Sequence, residues 1–247
     1  MKNKIGWCDM TWNPVWGCLN KCEYCYARKI AKRFAEFIAE YEIDEIYDGS
    51  IDGNSIISFY NEKKEDIEDF IPMFLHSQFK KKFPKKPQRI FVGSMSEIYY
   101  WEKEWVEKIL EKVKQYPQHT FIFLTKFPVV YCKYIFPENC WLGVTITDNN
   151  EAYFLDNIYM NENDNRIKFI CIEPILSDIN PYFFKKGFDW VIAGAETGSK
   201  KGKMIIKERW IKNIISGCIK FNIPVYLKDS LKGIYPVEIK EFPKEEK

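Results

Sequence analysis

Short apolar runs recur along the chain at Arg89–Gly93, Thr120–Leu124, Trp141–Thr145, Lys168–Ile172, Trp190–Ala193 and Pro224–Leu227, each followed by polar residues. Runs of this length, rich in Ile, Val, Phe and Trp, predict buried β-strands. Between most of them apolar positions return at helical spacing, clearly in Glu102–Tyr116 and Ile206–Phe221 and more weakly in Asn149–Met160. Ala27–Glu42 places Ile30, Phe34, Phe37, Ile38 and Tyr41 at the same spacing, with Lys29, Lys32, Arg33 and Glu36 mostly opposite. That pattern predicts an amphipathic helix. Strands that are apolar throughout, rather than alternating, belong to parallel sheets covered by helices and joined by right-handed crossovers. With Met10–Trp16 as a further strand, the pattern predicts an α/β fold, a parallel-stranded partial (β/α) barrel of about six to seven strands, similar to a TIM barrel. A doubly wound open sheet is the alternative.

The rhythm breaks between Tyr47 and Pro87, where Asp-Gly and Gly-Asn turn signals precede a mixed charged stretch and the basic run Lys80, Lys81, Lys82, Lys85, Lys86 around Phe83 and Pro84. Residues 1–247 read as one domain carrying an insertion at about 47–87. No repeat and no low-complexity tract interrupts it.

In a parallel barrel the active site forms at the carboxyl ends of the strands. Here those ends read Ser94-Met95-Ser96-Glu97, Thr125-Lys126, Thr145 and Thr147, Glu173, Glu196-Thr197, and Lys228-Asp229. Any one polar strand end means little, since loops are polar. Glu173, Glu196, Lys126 and Lys228 weigh more, because an ionised group at the end of a buried strand needs a partner or a ligand, and mutual salt bridging is the plainer of the two.

Charge does little to narrow the function: 37 basic and 35 acidic residues leave a formal +2, so no field steers the whole molecule toward nucleic acid. Aromatics reach 17% of the chain, enough for bulky packing or for a pocket that stacks planar groups. Met1–Trp7 contains no apolar run of signal length, and no apolar stretch of about 18 residues occurs, so a cytoplasmic protein with no membrane association is expected. In that compartment eight cysteines suit metal ligation or burial better than disulfides.

Three of them decide the matter. Cys18-Leu19-Asn20-Lys21-Cys22-Glu23-Tyr24-Cys25 is C-x3-C-x2-C with an aromatic before the last cysteine. Three close thiolates suit an iron-sulfur cluster with one open iron, whereas structural zinc wants four closed ligands. Cys8 can fold back as that fourth thiolate, which keeps open a zinc-binding structural or nucleic-acid-binding module. An electron carrier would want its own fourth cysteine at tight spacing.

The motif resembles that of the radical S-adenosylmethionine superfamily. More narrowly, Thr11-Trp12-Asn13-Pro14 with Gly17-Cys18, Ile90–Ser96, Leu124-Thr125-Lys126, Trp141–Thr145, Ile172-Glu173-Pro174 and Trp190–Gly198 look like a phage and bacterial family whose members are mostly described as phage proteins of unknown function. The likeness runs from about Trp7 to Lys228, insertion aside. Two residues depart from it: Cys8, where threonine is more frequent, and Ala195, where glycine is.

The resemblance implies a [4Fe–4S] cluster on Cys18, Cys22 and Cys25. It implies reductive cleavage of S-adenosylmethionine to a 5'-deoxyadenosyl radical that abstracts hydrogen from an unknown substrate, with flavodoxin or ferredoxin as reductant. By the same likeness Ser94, Ser96 and Glu97 face the methionine amino group. Strand order and donor chemistry put Thr125 or Lys126 against its carboxylate and Thr145 or Glu173 against the ribose, and Tyr24 and Tyr26 read as packing beside cluster and adenine or as plain core. Glu196 and Lys228 are the candidates for substrate contact or proton transfer. Cys171, two residues before Glu173 on one strand face, reads as a hydrogen-atom donor or as a small core residue. Among substrates, nucleic acid or a nucleoside stands beside peptides and small metabolites, because the Lys80–Lys86 run suits phosphates.

Overall fold

A computed structural model describes residues 5–46, 53–151, 165–197 and 204–244. The chain divides into two compact units, the first formed by residues 1–3 and 8–121 and the second by residues 4–7 and 122–247.

Nine strands and five α-helices follow in chain order among the described residues: β1 (Met10–Trp12), β2 (Val15–Trp16), α1 (Tyr26–Ile46), α2 (Gly53–Asp69), β3 (Met73–Phe74), α3 (His76–Phe79), β4 (Arg89–Val92), α4 (Lys103–Lys114), β5 (Thr120–Thr125), β6 (Cys140–Ile146), β7 (Lys168–Ile172), β8 (Trp190–Ala193), α5 (Glu208–Lys220) and β9 (Val225–Leu227). Seven strands form one sheet in the order β1-β4-β5-β6-β7-β8-β9. The pairs β1/β4, β6/β7, β7/β8 and β8/β9 are parallel. Strand order follows chain order with no reversal. This is the topology of a partial (β/α) barrel, and the doubly wound alternative, which needs a switch point, does not apply. The strands are buried along nearly their whole length, as parallel strands covered on both faces must be.

The stretch read as an insertion supplies α2, β3 and α3, and β3 pairs antiparallel with β2 through Val15 and Phe74. The weak helical pattern Asn149–Met160 lies, from residue 152 on, outside the described residues. No helix among the described residues is long and apolar enough to cross a membrane.

Helix α1 turns a different face inward from the one its aromatic residues suggest. Phe34, Phe37 and Tyr41 are exposed, whereas Ala27, Ala31, Ala35 and Ala39, with Ile38, are buried. Alanines four residues apart form a shallow ridge that lets a neighbouring helix approach closely, and α2 packs there. The resulting core of the first unit includes Ile67, Phe70, Met73, Leu75 and Met95, and Cys18 and Cys25 rest against it.

In the second unit Trp190 is fully buried, ringed by Trp7, Trp141, Phe169, Tyr226 and Phe242 at centroid distances of 5.3–6.3 Å. A larger core continues through Ile170, Ile172, Val191, Ile211 and Ile214, with Cys218 buried inside it.

Candidate functional site

The cysteines lie in the connection from β2 to α1. Gly17 opens that connection at φ +98°. Its amide donates to Met95 O (3.1 Å), and the next amide, Cys18 N, donates to Phe70 O (2.8 Å), so the loop is stitched to the end of β4 on one side and to the end of α2 on the other. Cys25 N donates to Cys22 O (3.1 Å) across a turn entered through Lys21 at φ 47°.

Each of the three sulfurs accepts an N–H. Asn20 N donates to Cys18 Sγ (3.4 Å), Asn20 Nδ2 to Cys22 Sγ (3.3 Å), and Arg28 N to Cys25 Sγ (3.5 Å). The last of these caps the first turn of α1, giving one of its otherwise unpaired N–H groups an acceptor. Arg28 also reaches Cys18 O (3.4 Å) and Asp69 O (3.1 Å) and lies over the Phe70 ring, tying the loop to both helices. Trp16, packed on the same core as Cys18 and Cys25, has a buried indole Nε1 with no hydrogen-bond partner among the described residues.

Burial, with smaller contributions from Glu97, Cys22 and Cys25, pushes the Cys18 thiol up to about 12 against the lowering effect of the Asn20 amide. Burial and the same neighbours, Cys18 and Glu97, raise the Tyr100 phenol. Among the described residues no three His, Cys, Asp or Glu side chains are gathered to hold a metal ion. None of the eight cysteines is in a disulfide, and Cys8 is buried.

The end of β4 borders this loop. Ser94 Oγ donates to Asn13 Oδ1 (3.0 Å), while the Ser94 carbonyl accepts from the Tyr26 hydroxyl (3.0 Å). Ser96 pairs with Gly17 in a parallel bridge, and its Oγ accepts from Trp101 Nε1 (3.1 Å). Glu97 is buried and caps the following 3-10 turn through Tyr99 N (3.3 Å). Tyr24 is half-buried between the second and third cysteines.

In the second unit, register sets the strand ends in one row. Ile172 pairs with Ala193 and Ala193 with Leu227, so Glu173, Gly194 and Lys228 follow side by side. Glu173 Oε1 and Lys228 Nζ form an ion pair at 2.5 Å, both about four-fifths buried. It lies over Gly194, where a Cβ would come within 3.0 Å of Lys228 Cδ and 3.1 Å of Glu173 Cδ. Cys171 Sγ is 4.0 Å from Glu173 Oε2, and its thiol is raised by burial first and by Glu173 second, with Lys228 and Lys126 opposing. Thr125 accepts from Phe127 N (3.0 Å), closing the turn after β5. Thr145 is opposite Cys171 in the β6/β7 register, and Glu196 is half-buried.

Lys228→Met leaves Glu173 without its cation and is expected to cost about 1–2 kcal/mol, less than a fully buried pair because both side chains keep some solvent. Glu173→Gln in the same background should recover part of that loss. Urea denaturation of the two singles and the double measures it, and additive losses would mean the pair contributes nothing.

Asn20, Arg28, Trp16, Tyr100 and Gly194 were not singled out by the sequence. Asn20 lies inside the motif, but nothing in the spacing tells which way its amide turns. Arg28 is legible only as a cation one turn into a helix.

A parallel sheet of (β/α) barrel order with a three-cysteine loop after its first strands is thus the class that fold and site define. The chain belongs to the family described as protein of unknown function (DUF5131), whose model matches residues 2–240. No curated protein and no solved structure matches it.

Proposed function

We propose that this chain is a radical S-adenosylmethionine enzyme. The observation that carries the reading is the cysteine loop itself, in which three thiols within eight residues each receive an N–H. Such bonds stabilise sulfur that carries negative charge, which is the state of a cluster ligand. The unsatisfied Trp16 indole calls for an acceptor beside the same core, and cluster sulfide is one. When bound, a [4Fe–4S] cluster on Cys18, Cys22 and Cys25 supplies the electron for reductive cleavage of the sulfonium.

The chain's own residues then orient and exclude. Asn20 and the first turn of α1 hold the sulfurs, and Arg28 fixes the loop between the helices. Glu97, a buried carboxylate whose charge is felt at Cys18, is the acceptor for the methionine ammonium. Ser94 and Ser96 are engaged with Asn13 and Trp101 and position the strand end. In the second unit Glu173, Lys228 and Glu196 are the candidates for proton transfer.

Anaerobic purification, reconstitution with iron and sulfide, reduction and addition of S-adenosylmethionine should yield 5'-deoxyadenosine and methionine in equal amounts. Zinc uptake without iron uptake, and no cleavage, would overturn the reading.

A further inference from the structure

The Lys80–Lys86 run is not a loosely tethered tail. Its centre, Phe83, is 9% exposed and is seated among Trp12, Tyr116, His119 and Phe121 at ring distances of 4.9–5.8 Å. Lys112, from α4, reaches beneath it. Its Nζ donates to Phe79 O and to Lys81 O (2.8 Å) and lies 4.9–5.3 Å from the centroids of Phe79, Trp12 and Phe83. His119, buried, accepts from Gln88 N at Nδ1 (3.1 Å) and bonds the Pro84 backbone, and Thr120 N donates to Gln88 O (3.0 Å). The segment is therefore pinned at its start, middle and end.

What it presents is cationic. Lys80, Lys81, Lys82, Lys85 and Lys86 are all exposed. From Ile71 to Ser96 the sequence contains no Asp or Glu. Several exposed lysines on the helices lie beside carboxylates, as in Lys103–Glu107 (3.7 Å), Lys114–Glu111 (3.5 Å) and Lys212–Glu208 (2.8 Å). The cation under the loop, Lys112, adds to the local field, and burial lowers its pKa.

We propose that this pinned lysine loop binds the phosphate backbone of a nucleic acid. Seven residues reach at most about 25 Å when extended, a length along which a nucleic-acid strand sets several phosphates in a row. Five point charges without an arginine fork suit sequence-independent backbone contact rather than base reading. A bilayer would favour an apolar side chain pointing outward among the lysines. Here the run's one large apolar residue points into the core. The inference goes beyond the cofactor reading and does not depend on it, because the binding surface needs no cluster.

Fluorescence anisotropy of the full chain with labelled probes tests it, using a duplex of about 20 base pairs and a single strand of the same length, between about 50 and 200 mM salt. Vesicles of phosphatidylserine and phosphatidylcholine form a separate arm. The slope of log K against log salt should be about −4 to −5 for the duplex and shallower for the single strand. Replacing three exposed lysines together (Lys82→Gln, Lys85→Gln, Lys86→Gln) should flatten the duplex slope by about 3 and weaken binding at least about tenfold. A charge-matched control on α4 (Lys103→Gln, Lys108→Gln, Lys114→Gln) should leave the slope unchanged, with both variants keeping the parent's circular dichroism. The proposal fails if the parent binds neither nucleic acid, if the loop variant keeps the parent's slope, if the control flattens it equally, or if only the vesicles retain the protein.

Discussion

Cys22→Ala is expected to take up no stable four-iron cluster and to lose S-adenosylmethionine cleavage by about 10³-fold or more, while Cys8→Ala keeps both. The two residues separate two chemistries. If iron is held by three thiolates, removing the central one leaves two protein ligands, too few to retain a cuboidal cluster. Cys22 is also the sulfur to which the Asn20 side-chain amide donates, so its loss leaves that donor without its acceptor. Cys8 is buried beside β1 and is asked to do nothing in this chemistry; truncating it removes one small packed sulfur, at about 1 kcal/mol. A four-thiolate zinc site differs at Cys8 alone, predicting metal lost in both variants. Iron and zinc per chain, measured on parent and variants purified side by side without oxygen, give the answer before any substrate is known.

How far the fold could be read from the sequence depends on where each signal is local. The ends of β7 and β8 fall where the apolar runs Lys168–Ile172 and Trp190–Ala193 end, with Glu173 closing the one and Asp189 preceding the other. Met10–Trp16 reads as one strand, yet it forms two, interrupted at Asn13-Pro14, and the second pairs with Met73–Phe74 from the stretch read as an insertion. Pairing between residues about sixty apart leaves no periodicity in either segment. Helix α1 is the instructive error of reading apolarity as burial. Its aromatic stripe is visible and its alanine stripe is not, because alanine weighs little in a hydrophobic pattern although its small size is what brings α2 close. In the site the three close cysteines of the loop were legible from spacing alone. The Glu173–Lys228 pair was legible only as two polar strand ends, since contact between them needs the register of three strands. The N–H donors to sulfur were not legible, because backbone direction in a turn depends on residues such as Lys21 and Gly17 whose dihedral angles the sequence only hints at.

Gly17→Ala is expected to destabilise the chain by about 4 kcal/mol or more and to lower cluster uptake with it, whereas Gly187→Ala should cost only about 1 kcal/mol. Both glycines have positive φ, +98° and +83°, so both substitutions carry the conformational penalty of a left-handed residue. Only one meets a wall. A Cβ at Gly17 would lie 2.0 Å from Ile71 O and 2.6 Å from Pro72 N, while at Gly187 nothing lies within 4 Å. The wall cannot yield easily. It is main chain, pinned by Ile71 N to Asp66 O (2.9 Å) and by Phe70 O accepting from Cys18 N, and Phe70 already holds φ +63° with its ring fully buried. Relieving the clash must therefore break the stitch that places Cys18, so stability and metal uptake fall together. For a chain of this length the loss should appear as a drop in Tm of roughly 8–16 °C against about 2–4 °C for Gly187→Ala, with unchanged urea m-values for both. Equal losses in the two variants would mean that the Ile71 backbone moves aside at no cost and that the cysteine loop is not fixed from that side.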